Sequence, residues 1–190
     1  MTCSTRNRSR LLVGCGSAAL ALSLMMPDPA QAQGIQATGA IDPSQGAINP
    51  DGPNQTVIDV FSPVALIDWT PTEDANGDAL TFLPQGSTAL FQSASSQDFA
   101  VLNRILPSSN NNMVVIDGNV ISRVGGVAPG GFIAFYSPTG ILVGSNASFD
   151  VGQLMLTTLD VTPAAFENFA NFGSNMTLTG APGSTARIQI

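Results

Sequence analysis

A short acidic segment at residues 73–78 has the composition of a calcium-binding loop. Asp74, Asn76 and Asp78 have the spacing of the first three oxygen ligands of such a loop. The loop also needs Gly at its sixth position and an acid at its twelfth, where this chain has Ala79 and Gln85. The Asn-Gly pair inside the segment lies between two strand-like runs, and both residues tolerate positive φ. We therefore favour a tight hairpin turn, and we predict no metal site and no cofactor.

Cleavage of polysaccharides, a reaction of some β-helical enzymes, requires clustered carboxylates with a base or a cation. The acidic residues of this chain are scattered, since Asp150, Asp160 and Glu167 lie in separate segments, and there is no His and no Lys. The glycines at 130 and 131 lead into a strand-like run and not into the helix N-terminus that a phosphate-binding loop needs. We therefore expect no enzymatic activity and predict no catalytic residue.

Residues 1–32 have the pattern of a secretory signal peptide. Three arginines precede an uncharged run at 11–26, and Ala30 and Ala32 supply the small side chains that signal peptidase requires. We expect the mature chain to begin at Gln33. The alternative, a lipoprotein modified at Cys15, would leave only four apolar residues before the cysteine, which is too few for the apolar core of a signal.

The mature chain is acidic and free of cysteine. Cys3 and Cys15 leave with the signal peptide, and twelve acidic residues and three arginines remain, which gives a formal charge of −9. A strongly acidic domain lacks the basic surface that nucleic acid and anionic lipid headgroups attract. A chain without cysteine is not locked by a disulfide, which suits a protein that stays unfolded until it has crossed a second membrane.

Short apolar runs separated by Gly, Pro, Ser and Asn predict an all-β protein. The segment 33–55 is rich in Gly, Pro and Asn and is predicted to be an irregular leader or cap. The predicted strands cover 56–60, 65–69, 79–83, 88–92, 98–102, 132–135, 176–179 and 186–190. The spacing alone leaves a β-sandwich and a β-helix both open.

One helix is predicted, with Thr162 as its N-cap and Pro163 at its first position. Phe166, Phe169 and Phe172 are three residues apart, so they share a helix face that is expected to cover the sheet. Trp69, on a predicted strand, is expected in the core.

The segments Leu102-Asn103-Arg104-Ile105, Ser137-Pro138-Thr139-Gly140-Ile141 and 147–152 follow one another in an order that resembles a known family. This family is the N-terminal secretion domains of two-partner secretion exoproteins of the filamentous haemagglutinin type. Its Asn-Pro-Asn-Gly-Ile turn has Ser137 and Thr139 here in place of the two Asn. Its Asn-Pro-Asn-Leu motif has no counterpart, and the polar run at 108–112 occupies the comparable region. The resemblance covers about residues 57–178.

The resemblance implies a right-handed parallel β-helix over 56–190, with an N-terminal cap, extra-helical hairpins and one short helix, as the front part of a longer protein. It implies a secreted or cell-surface, adhesin-like exoprotein of a Gram-negative bacterium that passes the membrane only transiently. The implied partner is an outer-membrane barrel transporter with periplasmic recognition domains. The residues expected to be recognised are Asn103, Arg104, Ser137, Pro138, Thr139, Gly140 and Ile141, which would otherwise serve the fold alone.

Two other functions stay open from the sequence. The first is a structural surface β-helix without a dedicated secretion role. The second is the polysaccharide-acting enzyme considered above, which the scattered carboxylates make the weaker alternative. The sequence names no host or cell-surface receptor.

Overall fold

The computed structural model describes residues 34–72, 80–107 and 112–190. The predicted signal peptide, the candidate calcium loop and most of the polar run at 108–112 lie outside the described residues. In chain order the elements are β1 (Ala37–Ile41), β2 (Gly46–Pro50), β3 (Gln55–Val60), β4 (Val64–Pro71), β5 (Leu80–Leu83), β6 (Thr88–Ser93), β7 (Ala100–Ile105), β8 (Val114–Ile116), β9 (Asn119–Val124), β10 (Ala128–Pro129), β11 (Phe132–Tyr136), β12 (Ile141–Val143), β13 (Ser148–Asp150), β14 (Gln153–Thr157), α1 (Pro163–Phe172) and β15 (Ile188–Gln189).

The strands stack into three sheets that the chain visits in turn. Sheet A has the order β1-β4-β7-β11-β14, sheet B the order β10-β9-β6-β3-β2 with β13 also paired to β9, and sheet C the order β15-β12-β8-β5. From β3 onward the chain runs from sheet B to sheet A to sheet C, and strands of successive coils pair in parallel. This parallel β-helix confirms the predicted fold class. Crossover connections between parallel strands are right-handed in about 98% of cases, which agrees with the right-handed coil that the family resemblance implies.

The main hydrophobic core fills the interior of the coil stack. Side chains alternate between the two faces of a strand, so Val101 and Ile105 of β7 face this interior while Leu102 faces outward. The ring of Phe82 meets those of Trp69 and Phe135 edge-on, with centroids 5.5 Å and 6.2 Å apart. Trp69 is 1% exposed, which confirms its prediction as a core residue.

Residues 34–50 close the N-terminal end of the coil stack on all three sheets. β1 pairs antiparallel with β4, β2 pairs antiparallel with β3, and the amide of Gln36 donates to the carbonyl of Phe82 in β5 at 2.8 Å. The β1–β2 turn is fixed by the Asp42 carboxylate, which accepts bonds from the hydroxyl and the amide of Ser44. These two bonds hold the pKa of the Asp42 carboxyl below its ordinary value.

The irregular leader predicted at 33–55 is corrected by this pairing, because the segment contains β1 and β2. Its Gly, Pro and Asn content predicts a loop, and nothing in the local sequence outweighs that. The segment becomes ordered because the exposed strand edges of the first coil carry backbone groups that need hydrogen-bond partners. The cap therefore depends on contacts that are not local in the sequence.

A second hydrophobic core lies on the outer face of sheet A, beneath α1. The ring of Phe132 stacks on that of Phe166, with centroids 5.6 Å apart, and meets Phe169 edge-on at 5.7 Å. The predicted helix face is confirmed for Phe166 and Phe169, and the side chain of Phe172 is outside the described part of the chain. The buried members of this core are Val64, Ala100, Leu102, Ala134, Tyr136, Val161 and Phe166.

The ends of α1 agree with the prediction. The hydroxyl oxygen of Thr162 accepts a hydrogen bond from the amide of Ala165 at 3.2 Å, and Pro163 follows as the first helical residue. Gly173 ends the helix with φ +64°, and its amide donates to the carbonyl of Phe169 at 2.9 Å. A left-handed residue of this kind is a common helix C-cap.

We expect Thr162→Ala to lower the free energy of unfolding by about 1 kcal/mol, because the amide of Ala165 loses its acceptor. The melting temperature should fall by about 2–4 °C. Thermal unfolding of the mature chain, followed by circular dichroism, measures the change. Thr177→Ala, at an exposed position after the helix, is the matched control. Equal melting temperatures for the two variants would contradict the prediction.

The two late strands are shorter than predicted. The segment at 176–179 contributes one antiparallel bridge, in which Asp160 and Thr179 exchange backbone hydrogen bonds of 2.7 Å and 3.0 Å. The segment at 186–190 contributes the two-residue strand β15, which pairs in parallel with β12. Strand-forming side chains become a long strand only where a partner edge runs beside them, and here the partner edges are short.

Candidate functional site

Asn103 lies inside the coil stack, in the middle of β7. Its side chain is fully buried, and its backbone is in register with Ile67 of β4 and Phe135 of β11. The carboxamide oxygen accepts a hydrogen bond from the indole Nε1–H of Trp69 at 3.0 Å, and Nδ2 donates to the carbonyl of Ala134 at 3.1 Å. One side chain therefore connects three successive coils.

These two hydrogen bonds explain why a side-chain carboxamide is present in an otherwise apolar interior. A buried indole N–H requires an acceptor, and a carboxamide supplies an acceptor and a donor in one side chain. The sequence left open whether Asn103 serves the fold alone or is recognised by a transporter. The structure places it in a strand, enclosed by its neighbours. Recognition by a transporter stays a prediction.

Arg104 points to the opposite face of β7, as strand alternation requires. Its backbone is in register with Asp68 on one side and Tyr136 on the other. The guanidinium Nη1 lies 3.3 Å from Oδ1 of Asp68, and the two side chains are 25% and 51% exposed. A pair this exposed is worth only about 0–1 kcal/mol. Nε of Arg104 is buried and has no hydrogen-bond acceptor within the described part of the chain.

Tyr136 lies beside Arg104 and is 8% exposed. Burial raises the pKa of its phenol, the negative charge of Asp160 raises that pKa further, and Arg104 acts in the opposite direction. The phenol therefore stays protonated at neutral pH. Asp68, Arg104 and Tyr136 are in register on the outer face of sheet A, where Tyr136 also belongs to the core beneath α1.

The turn at 137–141 carries the chain from β11 in sheet A to β12 in sheet C. Ser137 is fully buried, its amide donates to the carbonyl of Thr157 at 3.1 Å, and its hydroxyl oxygen is 3.1 Å from that of Thr139. Ile141 is fully buried as well, whereas Pro138 is exposed and Thr139 is half-buried. Only Pro138 and Thr139 of this turn therefore reach solvent.

Gly140 has φ +111°, in the region of backbone conformation that favours glycine. Its carbonyl accepts a hydrogen bond from the amide of Val114 at 2.9 Å. A Cβ at this position would lie 2.9 Å from the carbonyl oxygen of Arg187 and 3.1 Å from Cγ of Met113. Both the backbone conformation and the lack of space therefore require glycine.

The structure brings the two predicted segments together but does not expose them as one surface. Tyr136 is in register with Arg104, and Ser137 follows it directly, so the segments meet at the C-terminal ends of β7 and β11. Asn103, Ser137, Gly140 and Ile141 are buried, and Arg104, Pro138 and Thr139 reach solvent. Most of the predicted residues thus serve the fold, whatever else they do.

Sequence reasoning missed polar residues that join one coil to the next. Oδ1 of Asp117 accepts the amide of Asn146 at 2.9 Å, and the hydroxyl of Ser148 donates to Oδ1 of Asn119 at 2.8 Å. The two partners are 29 residues apart in both pairs. That separation is one coil at this level of the stack, but the spacing of paired strands differs from coil to coil, so no fixed repeat in the sequence could have revealed these pairs.

Neither a metal centre nor a membrane span is found in the part of the chain that the structure describes. Within residues 34–72, 80–107 and 112–190, no three His, Cys, Asp or Glu side chains are grouped so as to hold a metal ion. Within the same ranges no helix is both long and apolar enough to cross a membrane. The candidate calcium loop is outside these ranges, so its assignment as a hairpin turn stays a prediction.

Comparison with solved structures finds the same fold in a bacterial secretion domain. The HMW1 secretion domain from Haemophilus influenzae matches 82% of this chain with a TM-score of 0.57 and 20% sequence identity. The matched part spans 34% of that chain's length. No protein-family model matches the sequence, and a search of curated proteins finds no match. At this identity the likeness shows the fold alone.

Proposed function

We propose that this chain is the secretion domain of a two-partner secretion exoprotein of the filamentous haemagglutinin type. The observation that carries the proposal is the capped β-helix, which is also the fold of a protein named as a secretion domain. The order of the segments at 102–105, 137–141 and 147–152 resembles that family independently. In this role the chain is exported through the periplasm, binds an outer-membrane barrel transporter and folds outside the cell as part of an adhesin-like protein. It performs no catalysis.

Recognition of Asn103 by the transporter must precede folding, because the folded domain encloses the side chain on all sides. An unfolded exported chain still exposes its backbone groups, and these pair readily with a sheet edge in a transporter's periplasmic domain. Arg104 and Pro138 reach solvent in the folded domain. We therefore assign Asn103 to recognition of the extended chain, followed by its structural role once the coils have stacked.

The two ends of the β-helix differ in a way that supports a role as a folding template. Residues 34–50 cover the N-terminal end, whereas β14 and β15 are the last strands of sheets A and C at the other end. Leu154 and Ile188 on these strands are 38% and 40% exposed. An uncovered strand edge pairs with further strands, and solenoids bury their apolar ends by stacking coils. In the proposed role, later coils stack on this end.

A secretion assay in a Gram-negative host tests the proposal. The full chain is expressed with and without a candidate outer-membrane barrel transporter of the two-partner type, and the protein is quantified in the medium and in the periplasm. We expect release to the medium only with the transporter, and a mature N-terminus at Gln33. The matched control is the same transporter without its periplasmic domains, which should retain the chain in the periplasm.

Three results would overturn all or part of the proposal. Release that does not depend on the transporter would favour the structural surface protein. Retention in the periplasm despite a transporter that secretes its own known substrate would exclude recognition of this chain. An N-terminus carrying lipid at Cys15 would replace the signal-peptide assignment and the secreted location together.

A further inference from the structure

A cleft of about 480 Å³ lies where the chain passes from sheet B to sheet A, beside the last turns of α1. Part of the lining of the cleft is formed by the backbone of glycine residues. The amide of Gly152 donates to the carbonyl of Gly130 at 3.3 Å, and a Cβ on Gly152 would lie 2.7 Å from the carbonyl oxygen of Gly131. Glycine thus brings the backbones of two coils together and leaves peptide groups lining the cleft.

The remaining lining favours a cation. Asp98 contributes a carboxylate, whose Oδ1 accepts the amide of Gly131 at 2.9 Å, so that a second oxygen is left for a ligand. Phe132 and Phe169 line the cleft with the half-buried outer parts of rings that pack edge-on against each other, and an aromatic face attracts cations. The C-terminal turn of α1 carries partial negative charge and has no basic residue. None of the described residues that line the cleft is basic.

The loops next to the cleft expose apolar side chains. Phe61 is 63% exposed and Val127 is 82% exposed. Each lies two residues before a proline that lines the cleft, Pro63 and Pro129 respectively. The amide of Gly125 donates to the carbonyl of Ser95 at 2.8 Å, which holds the loop bearing Val127 against the previous coil. Exposed apolar groups beside a cleft are typical of an interaction surface.

We propose that this corner binds an arginine-bearing extended segment of a partner protein. A guanidinium group is planar, carries five donors and stacks on aromatic rings, so it suits a site with one carboxylate and two phenyl rings. Apolar residues beside the arginine would contact Phe61 and Val127. The formal charge of −9 on the mature chain also attracts a basic partner. The proposal does not depend on the secretion role.

Titration by nuclear magnetic resonance tests the site on the ¹⁵N-labelled mature chain. The probes are the peptides acetyl-Leu-Arg-Leu-amide and acetyl-Leu-Glu-Leu-amide, compared at low salt. We expect the arginine peptide to shift the amide signals of Gly130, Gly131 and Gln153 in a saturable way. Its affinity should exceed that of the glutamate peptide by about tenfold or more and fall with added salt. Equal affinities, or no saturable shift at these amides, would overturn the proposal.

Three variants separate the site from nonspecific binding. Asp98→Asn removes the charge and keeps an acceptor for the amide of Gly131, so it should weaken the arginine peptide about tenfold with little loss of stability. Phe61→Ser combined with Val127→Ser should also weaken binding. Ile190→Ser, at a 94% exposed apolar residue away from the cleft lining, should leave it unchanged. Unaltered binding by Asp98→Asn would refute the assignment.

Discussion

Asn103→Ala is expected to lower the free energy of unfolding by about 2–4 kcal/mol, because it leaves the indole N–H of Trp69 without its acceptor and opens a cavity in the core. The carbonyl of Ala134 loses a donor in the same change. The melting temperature of the mature chain should fall by about 5–15 °C. Thermal and denaturant unfolding, followed by circular dichroism, measure the change.

Asn168→Ala, at an exposed position on α1, is the matched control and should change the melting temperature by no more than about 1–2 °C. Secretion measured in parallel separates the two roles of Asn103. If the amount of released protein falls only in proportion to the loss of stability, the role of Asn103 is structural. If release is lost while most of the stability remains, Asn103 is recognised by the transporter. A variant that is fully stable would show that the Trp69–Asn103 bond contributes nothing to the fold.

Gly140→Val is expected to destabilise the domain by about 2–4 kcal/mol. Valine is strained at φ +111°, and its Cβ would lie 2.9 Å from the carbonyl oxygen of Arg187. The affected turn connects sheets A and C, so the loss should appear as reduced cooperativity and a lower denaturant midpoint in urea unfolding. Pro138→Ala, in the same turn at an exposed position, should change the midpoint little. Equal midpoints for the two variants would contradict the strain that we assign to Gly140.

Much of the fold was predictable because its signals are local. The strand predicted at 56–60 is β3 at Gln55–Val60, and the helix predicted from Thr162 and Pro163 begins where its cap requires. Alternation, turn residues and capping act over a few residues, so a single sequence reveals them. The choice of a β-helix over a sandwich came from the resemblance to a family and not from these patterns.

The contacts that fix the candidate site were not predictable in the same way. Asn103 finds its indole partner 34 residues earlier in the chain, and the cap at 34–50 becomes ordered on strands that come later. Neither segment carries a local pattern that identifies its partner. The burial of Asn103 also shows that a polar residue inside a family-like motif is weak support for surface recognition. Hydrogen bonds in the core can require the same carboxamide side chain.

Trp69 is the only tryptophan of the chain, so the tryptophan fluorescence of the domain reports on the surroundings of this one residue during folding. Its ring becomes enclosed when Phe82 packs beside it, and its N–H becomes bonded only when the next coil delivers Asn103. Tryptophan emission of the refolding mature chain should therefore shift to shorter wavelength as β7 stacks on β4. The stacking of β7 on β4 can thus be timed without any attached label.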